Sequence, residues 1–437
     1  MPQRWMTRLF AAVLAVAALP APAAAPSRGD VLLLPDRVWT AEGDAAHTGW
    51  AVLVHDGAIA AAGPAAGIQA PADARRIELP GTTLVPGLID LHSHVFLHPY
   101  NETLWNDQVL KEPQDYRTLE AAVHARDTLM AGFTALRDLG TEGAGYADVS
   151  VKRAIDEGMI PGPRLFIATR AIVASASYGP APRGFRPDLD LPGGAQEVSG
   201  ADEAIRAVRE QANRGADWIK LYADYRVGPG GSTVPTLSAA EMKAIVDTAH
   251  LSGRPVAAHA ASDEGVRMAV EAGVDSIEHG YGASEATFRL MKQHGVAYQP
   301  TLTAVASTAE YFEHYVPGKS EPTERMKEAE RAFRTAMKVG VTIGNGSDVG
   351  VFSHGANWRE PDAMVRAGMS PAQALHAATD VAARILRQQD RFGRIAPGLR
   401  ADLAAFAGDP SRHIDDLQHP VFVMKDGAIY RSPESKP

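Results

Sequence analysis

Short apolar segments alternate with amphipathic segments through the middle of this chain. Eight apolar runs, rich in Val, Ile and Leu, have the pattern of buried strands: residues 82–91, 133–138, 164–168, 217–222, 255–260, 274–279, 297–299 and 341–348. Segments of helical period lie between several of them, at 201–214, 239–251, 264–272 and 324–338. Regular alternation of strand and helix predicts a parallel sheet. Eight such units over about 250–300 residues predict an α/β fold, a (β/α)8 TIM barrel, which we place at residues 86–394.

Both ends of the chain have a different pattern, with many strands and little helix. The first end has runs at 30–34, 51–55 and 59–62, and the second has runs at 401–406, 421–425 and 428–430. Asp-Gly turns at Asp56-Gly57 and Asp426-Gly427 connect neighbouring runs, as in tight hairpins. We therefore expect β structure outside the barrel, at residues 26–85 and 395–437.

The N-terminus has the pattern of a secretory signal. Arg4 and Arg8 precede an apolar stretch at 9–19, and Ala21-Pro22-Ala23 offers a small-residue cleavage site. The stretch is too short to span a bilayer, although a retained anchor is the alternative. We expect residues 1–25 to be removed and the protein to be exported, to the periplasm or beyond, with no membrane span after signal removal.

Composition excludes several function classes. The chain has no cysteine, which excludes a lipoprotein anchor, disulfides, thiolate metal ligands and a cysteine nucleophile. Its formal net charge of −9 becomes about −11 once Arg4 and Arg8 are removed. Such an acidic chain, with no basic run, argues against binding nucleic acid.

Polar side chains with metal-binding chemistry end several of the predicted strands. They are His92, His94, Lys220, His259, His279 and Asp348. His92 and His94 are two apart, so on a strand they would share one face. In a barrel of this type the carboxyl ends of the strands carry the chemistry, and neutral imidazole with carboxylate suits Zn²⁺ and similar cations. The sequence therefore predicts a metal site at this edge of the sheet.

These positions, with the stretch 272–280 and the C-terminal motifs at 369–379 and 393–403, resemble the amidohydrolase superfamily in its binuclear form. More narrowly, the chain resembles the imidazolonepropionase-like and Xaa-Pro dipeptidase group, which includes ochratoxin-hydrolysing amidases. The resemblance runs from about Asp30 to Gly427. It implies that the two ends of the chain pair as one small β-sandwich domain. It also leaves a homo-oligomer open, since related enzymes are often oligomers.

The resemblance further implies two divalent metal ions, which we take to be Zn²⁺. It assigns His92, His94 and Asp348 to one ion, His259 and His279 to the other, and Lys220, carboxylated on its side-chain nitrogen, to both. An ordinary lysine paired with Asp224 is the alternative for Lys220. Two metals can share a hydroxide that attacks an amide carbonyl. Asp348 would take the proton and pass it to the leaving amine.

Substrate contacts are assigned to four further residues. We expect Tyr222 to be catalytic, with its hydroxyl on the carbonyl oxygen as charge develops, and Arg137 to bind a substrate carboxylate. Tyr178 and His354 lie on loops after strands and are expected to touch the substrate. Packing is the alternative for Tyr222, an internal ion pair for Arg137, and a simple loop position for the other two. Asp90 would fix an imidazole tautomer or make a core hydrogen bond.

The expected function is hydrolysis of an amide that releases an amino acid. The small-molecule substrate would be a dipeptide or an N-acyl amino acid, including ochratoxin-like amides. Within enzymes, the alternatives are opening of a cyclic amide or lactone, as in imidazolonepropionase, and a mononuclear deaminase. A non-catalytic binding protein on the same scaffold is the alternative from another class.

Overall fold

The computed structural model describes residues 29–433, so the predicted signal segment lies outside the described residues. The strands are β1 Val31–Val38, β2 His47–Thr48, β3 Trp50–His55, β4 Ala58–Pro64, β5 Arg75–Pro86, β6 Leu88–Ser93, β7 Phe133–Asp138, β8 Arg164–Ile167, β9 Ile172–Ala174, β10 Gln196–Val198, β11 Ile219–Tyr222, β12 Asp224–Tyr225, β13 Val234–Pro235, β14 Val256–Ala260, β15 Ser276–His279, β16 Ala297–Gln299, β17 Leu403–Ala407, β18 Pro420–Lys425 and β19 Ala428–Arg431. The α-helices are α1 Trp105–Lys111, α2 Gln114–Met130, α3 Ala147–Asp156, α4 Ala201–Arg214, α5 Ala239–Leu251, α6 Asp263–Ala272, α7 Glu285–His294, α8 Leu302–Phe312, α9 Glu324–Val339, α10 Arg359–Arg366, α11 Pro371–Ala377 and α12 Asp380–Ile385. Within residues 29–433, none of these helices combines the length and apolarity needed to cross a bilayer.

The middle of the chain is α/β, as predicted. Strands β6, β7 and β8 form a parallel three-stranded sheet, and β10, β9, β11, β14, β15 and β16 form a parallel six-stranded sheet. Main-chain N–H groups of Asp217 and Trp218 donate to the carbonyl of Ile167, at 2.8 and 3.1 Å, and so link the two sheets. Four predicted helices occur within one residue of their expected bounds. At α5, for example, Ser238 and Glu241 form a capping box that sets the first turn.

The eighth predicted strand, 341–348, does not form a regular strand. It makes one isolated parallel bridge, between Ile343 and Tyr298. The Asp90 carboxylate accepts hydrogen bonds from the Ser347 N–H at 2.9 Å and from its hydroxyl at 2.5 Å. Main-chain hydrogen bonds still join this segment to the strands on both sides. On the β16 side, the Tyr298 N–H donates to Thr342 at 2.9 Å and the Gly344 N–H to Tyr298 at 3.0 Å; on the β6 side, the Leu91 N–H donates to Asn345 at 2.8 Å.

Strands from both chain ends form one eight-stranded sheet, in the order β19-β18-β17-β5-β1-β3-β4 with β2 on β1. The two ends meet where β5 pairs antiparallel with β17. Hydrogen bonding therefore joins the two ends of the chain into a single continuous sheet.

The predicted strand 82–91 is in fact two strands in different sheets. β5 ends at Pro86 in the terminal sheet, and β6 begins at Leu88 beside β7. Gly87 lies between them, where a Cβ atom would clash with the Thr134 side chain of β7. The close approach of the Thr134 side chain to the Gly87 backbone therefore favours glycine here. Apolarity alone could not reveal this change of sheet.

A buried ion-pair cluster joins the parallel region to the terminal sheet. Arg164, at the start of β8, donates to Asp426 at 2.9 Å and to Asp402 at 3.2 Å. The side chains of Arg164 and Asp402 are only 13% and 1% exposed, so each charge depends on its partner.

We expect Arg164→Leu to lower the free energy of unfolding by about 3–5 kcal/mol, because it leaves a buried carboxylate without its cation. The measurement is denaturant unfolding followed by circular dichroism. Arg153→Leu is the matched control: this arginine is 76% exposed in its pair with Glu157, and its loss should change little. Equal stability of both variants would contradict the role assigned to Arg164.

Candidate metal centre

The predicted ligands gather at the carboxyl ends of the parallel strands. The Asp348 Oδ1 atom lies 3.5 Å from His92 Nε2 and 3.3 Å from His94 Nε2, and ligand atoms of these three residues all lie within 4.8 Å of one another. The ring of His279 is 5.1 Å from that of His92 and 4.5 Å from that of His259, centroid to centroid. Four imidazoles and one carboxylate thus share a single cluster.

Two of the clustered residues have strained backbone. The φ angles of His279 and Asp348 are 76° and 63°, in the left-handed region that non-glycine residues rarely adopt. Such a conformation costs about 1–3 kcal/mol and persists where neighbours hold it. The Asp348 N–H donates to the carbonyl of His92 at 2.8 Å, and the Tyr298 hydroxyl donates to the carbonyl of His279 at 2.8 Å. Strain of this kind concentrates at functional sites.

A buried carboxylate fixes the first imidazole. Glu278 Oε2 lies 2.9 Å from His92 Nδ1, and Glu278 Oε1 accepts from Arg137 Nη2 and Ser276 Oγ, both at 2.7 Å. Burial opposes ionisation of Glu278, but Arg137 and the bond to His92 lower its pKa to about 2. Burial and the charge of Lys220 lower the pKa of His92 to about 4. His92 is therefore a neutral imidazole that keeps Nε2 free for a ligand, with a carboxylate on Nδ1, as is typical of metal-binding histidines.

Two of the other three histidines are oriented by neutral acceptors. His94 Nδ1 lies 3.0 Å from the carbonyl oxygen of Gly140, and His279 Nδ1 lies 2.8 Å from Thr301 Oγ1. Nε2 is thus the remaining ligand atom on both rings. Burial lowers the pKa of His94, but the hydrogen bond to Asp348 and the negative charges of Glu142 and Asp348 together raise it to about 9. Burial works against the ionised form of Asp348, yet His92 and His94 bring its pKa far below the usual range. The protonated His94 ring therefore pairs with the Asp348 carboxylate, and a metal cation would compete with that proton for the same carboxylate.

Lys220 gives the clearest indication of whether this site suits a pair of metal ions. Its side chain is fully buried, and Nζ has no hydrogen-bond partner among residues 29–433. Asp224, the partner considered in the alternative, instead accepts from Ala261 and Ser262. Burial lowers the pKa of the Lys220 amine to about 8. An unpartnered buried amine is costly, and its conversion to a carbamate would supply the anionic oxygens that two cations need. The donor set fits the metal pair.

The cluster forms the floor of a cavity of about 530 Å³. The residues that line it include His92, His94, His259, His279, Asp348, Tyr100, Glu142, Tyr178, Tyr222, Tyr225, Tyr281, Arg226 and Arg325. The Tyr222 ring stacks on that of His259 at 4.4 Å, and the Tyr178 hydroxyl donates to Glu142 Oε2 at 2.7 Å. Tyr222 and Tyr178 are therefore placed where a substrate could contact them.

Two predicted substrate residues lie elsewhere. Arg137 has no exposed surface and lies beneath the centre, where its guanidinium binds Glu278. The prediction that it binds a substrate carboxylate is therefore wrong, and the internal ion pair is correct. His354 is also not a lining residue: Nε2 lies 3.0 Å from the carbonyl oxygen of Leu97, and the ring stacks on that of His124 at 4.3 Å. His354 is therefore packed behind the cavity wall, and the prediction that it touches the substrate is wrong.

Sequence reasoning missed two acids of the site. Glu278 precedes His279, and strand alternation would turn it away from that neighbour, yet its carboxylate contacts His92 on β6. Glu142 lies in the loop after β7, with no motif around it, and its side chain lines the cavity. The Asp90 carboxylate accepts hydrogen bonds from Ser347 and Asn357 rather than from an imidazole ring. This agrees with the alternative prediction that Asp90 makes a core hydrogen bond.

An α/β fold with four histidines, an aspartate and a buried lysine at its strand ends is typical of metal-dependent hydrolases. The model of the amidohydrolase family matches residues 83–431. This chain belongs to the amidohydrolase family, and it is a hydrolase that acts on carbon–nitrogen bonds.

Individual relatives agree with this assignment. An uncharacterised protein of Mycobacterium tuberculosis is 31% identical over 357 residues, which cover 80% of this chain and 86% of that protein. The ochratoxinase of Aspergillus niger is 30% identical over 378 residues, which cover 80% of this chain and 76% of that enzyme. The structure of a Xaa-Pro dipeptidase with bound methionine in its active site superposes with a TM-score of 0.82 and 30% identity, covering 92% of this chain and 100% of that one.

We expect Glu278→Gln to weaken Zn²⁺ binding by about 10–100-fold, because it removes the carboxylate that orients His92. The measurement is competition with a chromophoric chelator, on protein whose fold is checked by circular dichroism. Glu264→Gln, at an exposed glutamate, is the control. Wild-type affinity in a folded Glu278→Gln variant would show that this carboxylate does not position the ligand.

Proposed function

We propose that this protein is a binuclear metal-dependent amidohydrolase that cleaves an amide C–N bond and releases an amino acid. The substrate would be a dipeptide or an N-acyl amino acid, with ochratoxin-like amides in the second group. The observation that carries the proposal is the buried Lys220 amine, which has no hydrogen-bond partner among the described residues and lies close to three imidazoles and to Asp348. The similarity to a Xaa-Pro dipeptidase and to an ochratoxinase supports the choice of substrate class.

The proposal assigns each ligand to one of two ions, which we take to be Zn²⁺. His92, His94 and Asp348 would hold one ion, His259 and His279 the other, and Lys220 as its carbamate both. When bound, the two cations would supply Lewis acidity to the scissile carbonyl and to water. We also infer that the two parallel sheets close into the (β/α)8 barrel expected from the sequence, an arrangement that directs all strand ends toward one site.

In this proposal Asp348 transfers a proton and Tyr222 stabilises negative charge. Asp348 is ionised at neutral pH, so its carboxylate would take the proton of the attacking water and deliver it to the leaving nitrogen. Burial and the nearby Glu142 raise the pKa of the Tyr222 phenol well above its ordinary value. Tyr222 would therefore remain protonated and donate to the carbonyl oxygen as negative charge develops.

The leaving amino acid needs a partner for its carboxylate. Arg137 is buried beneath the site, so we assign this role to Arg226 and Arg325, which are exposed and line the cavity. Arginine suits the role because its planar guanidinium can bind a carboxylate through two hydrogen bonds.

The direct test is a panel of dipeptides and N-acyl amino acids assayed with added Zn²⁺. We expect turnover by the wild-type protein. In Lys220→Ala we expect turnover to fall by more than the 10–100-fold that is typical when a residue supporting a metal ligand is replaced. Acetate or propionate should restore part of that loss, by placing a carboxylate in the vacated space. Lys243→Ala, at a surface lysine paired with Asp247, should retain full activity. The proposal fails if no amide is hydrolysed, or if Lys220→Ala remains active.

We further propose that the protein is exported, on the strength of its N-terminal pattern. N-terminal sequencing of the mature protein from its native cell should find a start near residue 26. Recovery of the uncleaved chain from the cytoplasm would contradict this.

A further inference from the structure

One wall of the cavity contains a carboxylate that the proposed reaction does not use. Glu142 is 2% exposed, and its φ of 48° places it in the left-handed region. Its Oε2 atom accepts from Trp105 Nε1 at 3.0 Å and from the Tyr178 hydroxyl at 2.7 Å. Its Oε1 atom is buried and has no hydrogen-bond partner among the residues that the structure describes.

Four aromatic side chains cluster beside this carboxylate. The Tyr178 ring lies 5.1 Å from Trp105, 4.8 Å from Tyr222 and 5.0 Å from Tyr225, centroid to centroid. The three tyrosines and Glu142 all line the catalytic cavity. Ring faces beside a carboxylate attract an organic cation, because the quadrupole of each ring is negative on its face.

The two hydrogen bonds do not account for the charge of Glu142. Its Oε1 atom lies 3.9 Å from His94 Nδ1, but this contact would no longer pair opposite charges once His94 bound a metal as a neutral imidazole. Glutamine at this position could accept the same two hydrogen bonds from Trp105 and Tyr178 without burying an anion. The nearby Arg117 donates to the main-chain carbonyls of Phe96 and Glu142. The free oxygen of a buried carboxylate is costly unless a ligand satisfies it.

We propose that Glu142 and the rings of Tyr178, Tyr222 and Tyr225 bind the free α-ammonium group of a dipeptide substrate. This inference rests on the proposed function and narrows its substrates, from amides that release an amino acid to those that also have an unblocked amino terminus.

The position of Glu142 favours the α-ammonium group over a side-chain amine. Oε1 lies 3.9 Å from Nδ1 of His94, a proposed ligand. An α-nitrogen is two bonds from the scissile carbonyl carbon, whereas a lysine side-chain nitrogen lies several bonds further away.

The test compares Ala-Phe with lactoyl-Phe, in which a neutral hydroxyl of similar size replaces the ammonium. We expect the Zn²⁺-loaded wild-type protein to prefer Ala-Phe in kcat/KM by at least about tenfold, since a charge-assisted hydrogen bond is lost with the hydroxyl analogue. In Glu142→Gln that preference should fall to about twofold or less, mainly through lost activity on Ala-Phe. Glu197→Gln, at an exposed glutamate, should keep the wild-type ratio. Equal losses on both substrates, or a wild-type protein without the preference, would overturn the assignment.

A binding measurement separates this inference from the proposed function. Ketomethylene isosteres of the same two compounds contain no scissile C–N bond, so calorimetry measures their affinity without turnover. We expect the amine isostere to bind the wild-type protein at least about tenfold more tightly than the hydroxyl isostere, and Glu142→Gln to remove the difference. If neither substrate is hydrolysed, the proposed function fails, and the isosteres still decide the role of Glu142. A difference that persists in Glu142→Gln, or is absent from the wild-type protein, refutes that role.

Discussion

The pairing of Glu278 with Arg137 beneath the strand ends determines much of what lies above it. Both side chains are completely buried and 2.7 Å apart, so neither charge can be removed without leaving the other unpaired. Glu278 uses its second oxygen to hold His92, which fixes the tautomer of that ring. Arg137 is thereby committed to the floor of the site and is unavailable to a substrate. A structural ion pair thus sets the geometry of a candidate metal ligand.

The upper part of the site depends on irregular backbone. His279 and Asp348 both have positive φ angles, and Ser347, just before Asp348, donates its N–H to the Asp90 carboxylate. A regular strand would direct alternate side chains to opposite faces, whereas this turn brings Asp348 within 3.5 Å of His92. The hydrogen bonds that hold these conformations offset their cost. Irregularity at this edge of the sheet is part of how the cluster forms.

The sequence predicted the elements with strong local patterns and missed the features that depend on distant contacts. Phe133–Asp138 has its expected bounds because an apolar run flanked by helices has few other places to fold. The run 82–91 shows no local sign that its halves enter different sheets, since both are buried. The ion pair of Arg137 joins residues separated by 141 positions, and no periodicity predicts such a partner. Glu142 lies on a loop, where spacing carries little information about direction.

The account as a whole rests on the claim that side chains from four strand ends, together with Asp348, hold two cations through a modified Lys220. Anomalous diffraction at the zinc absorption edge, from crystals grown with Zn²⁺ and bicarbonate, tests this most directly. The account predicts two peaks, one beside His92, His94 and Asp348 and the other beside His259 and His279. It also predicts density for a carboxylate that extends from Lys220 Nζ between the peaks. A single peak, or a bare Lys220 amine, would contradict it.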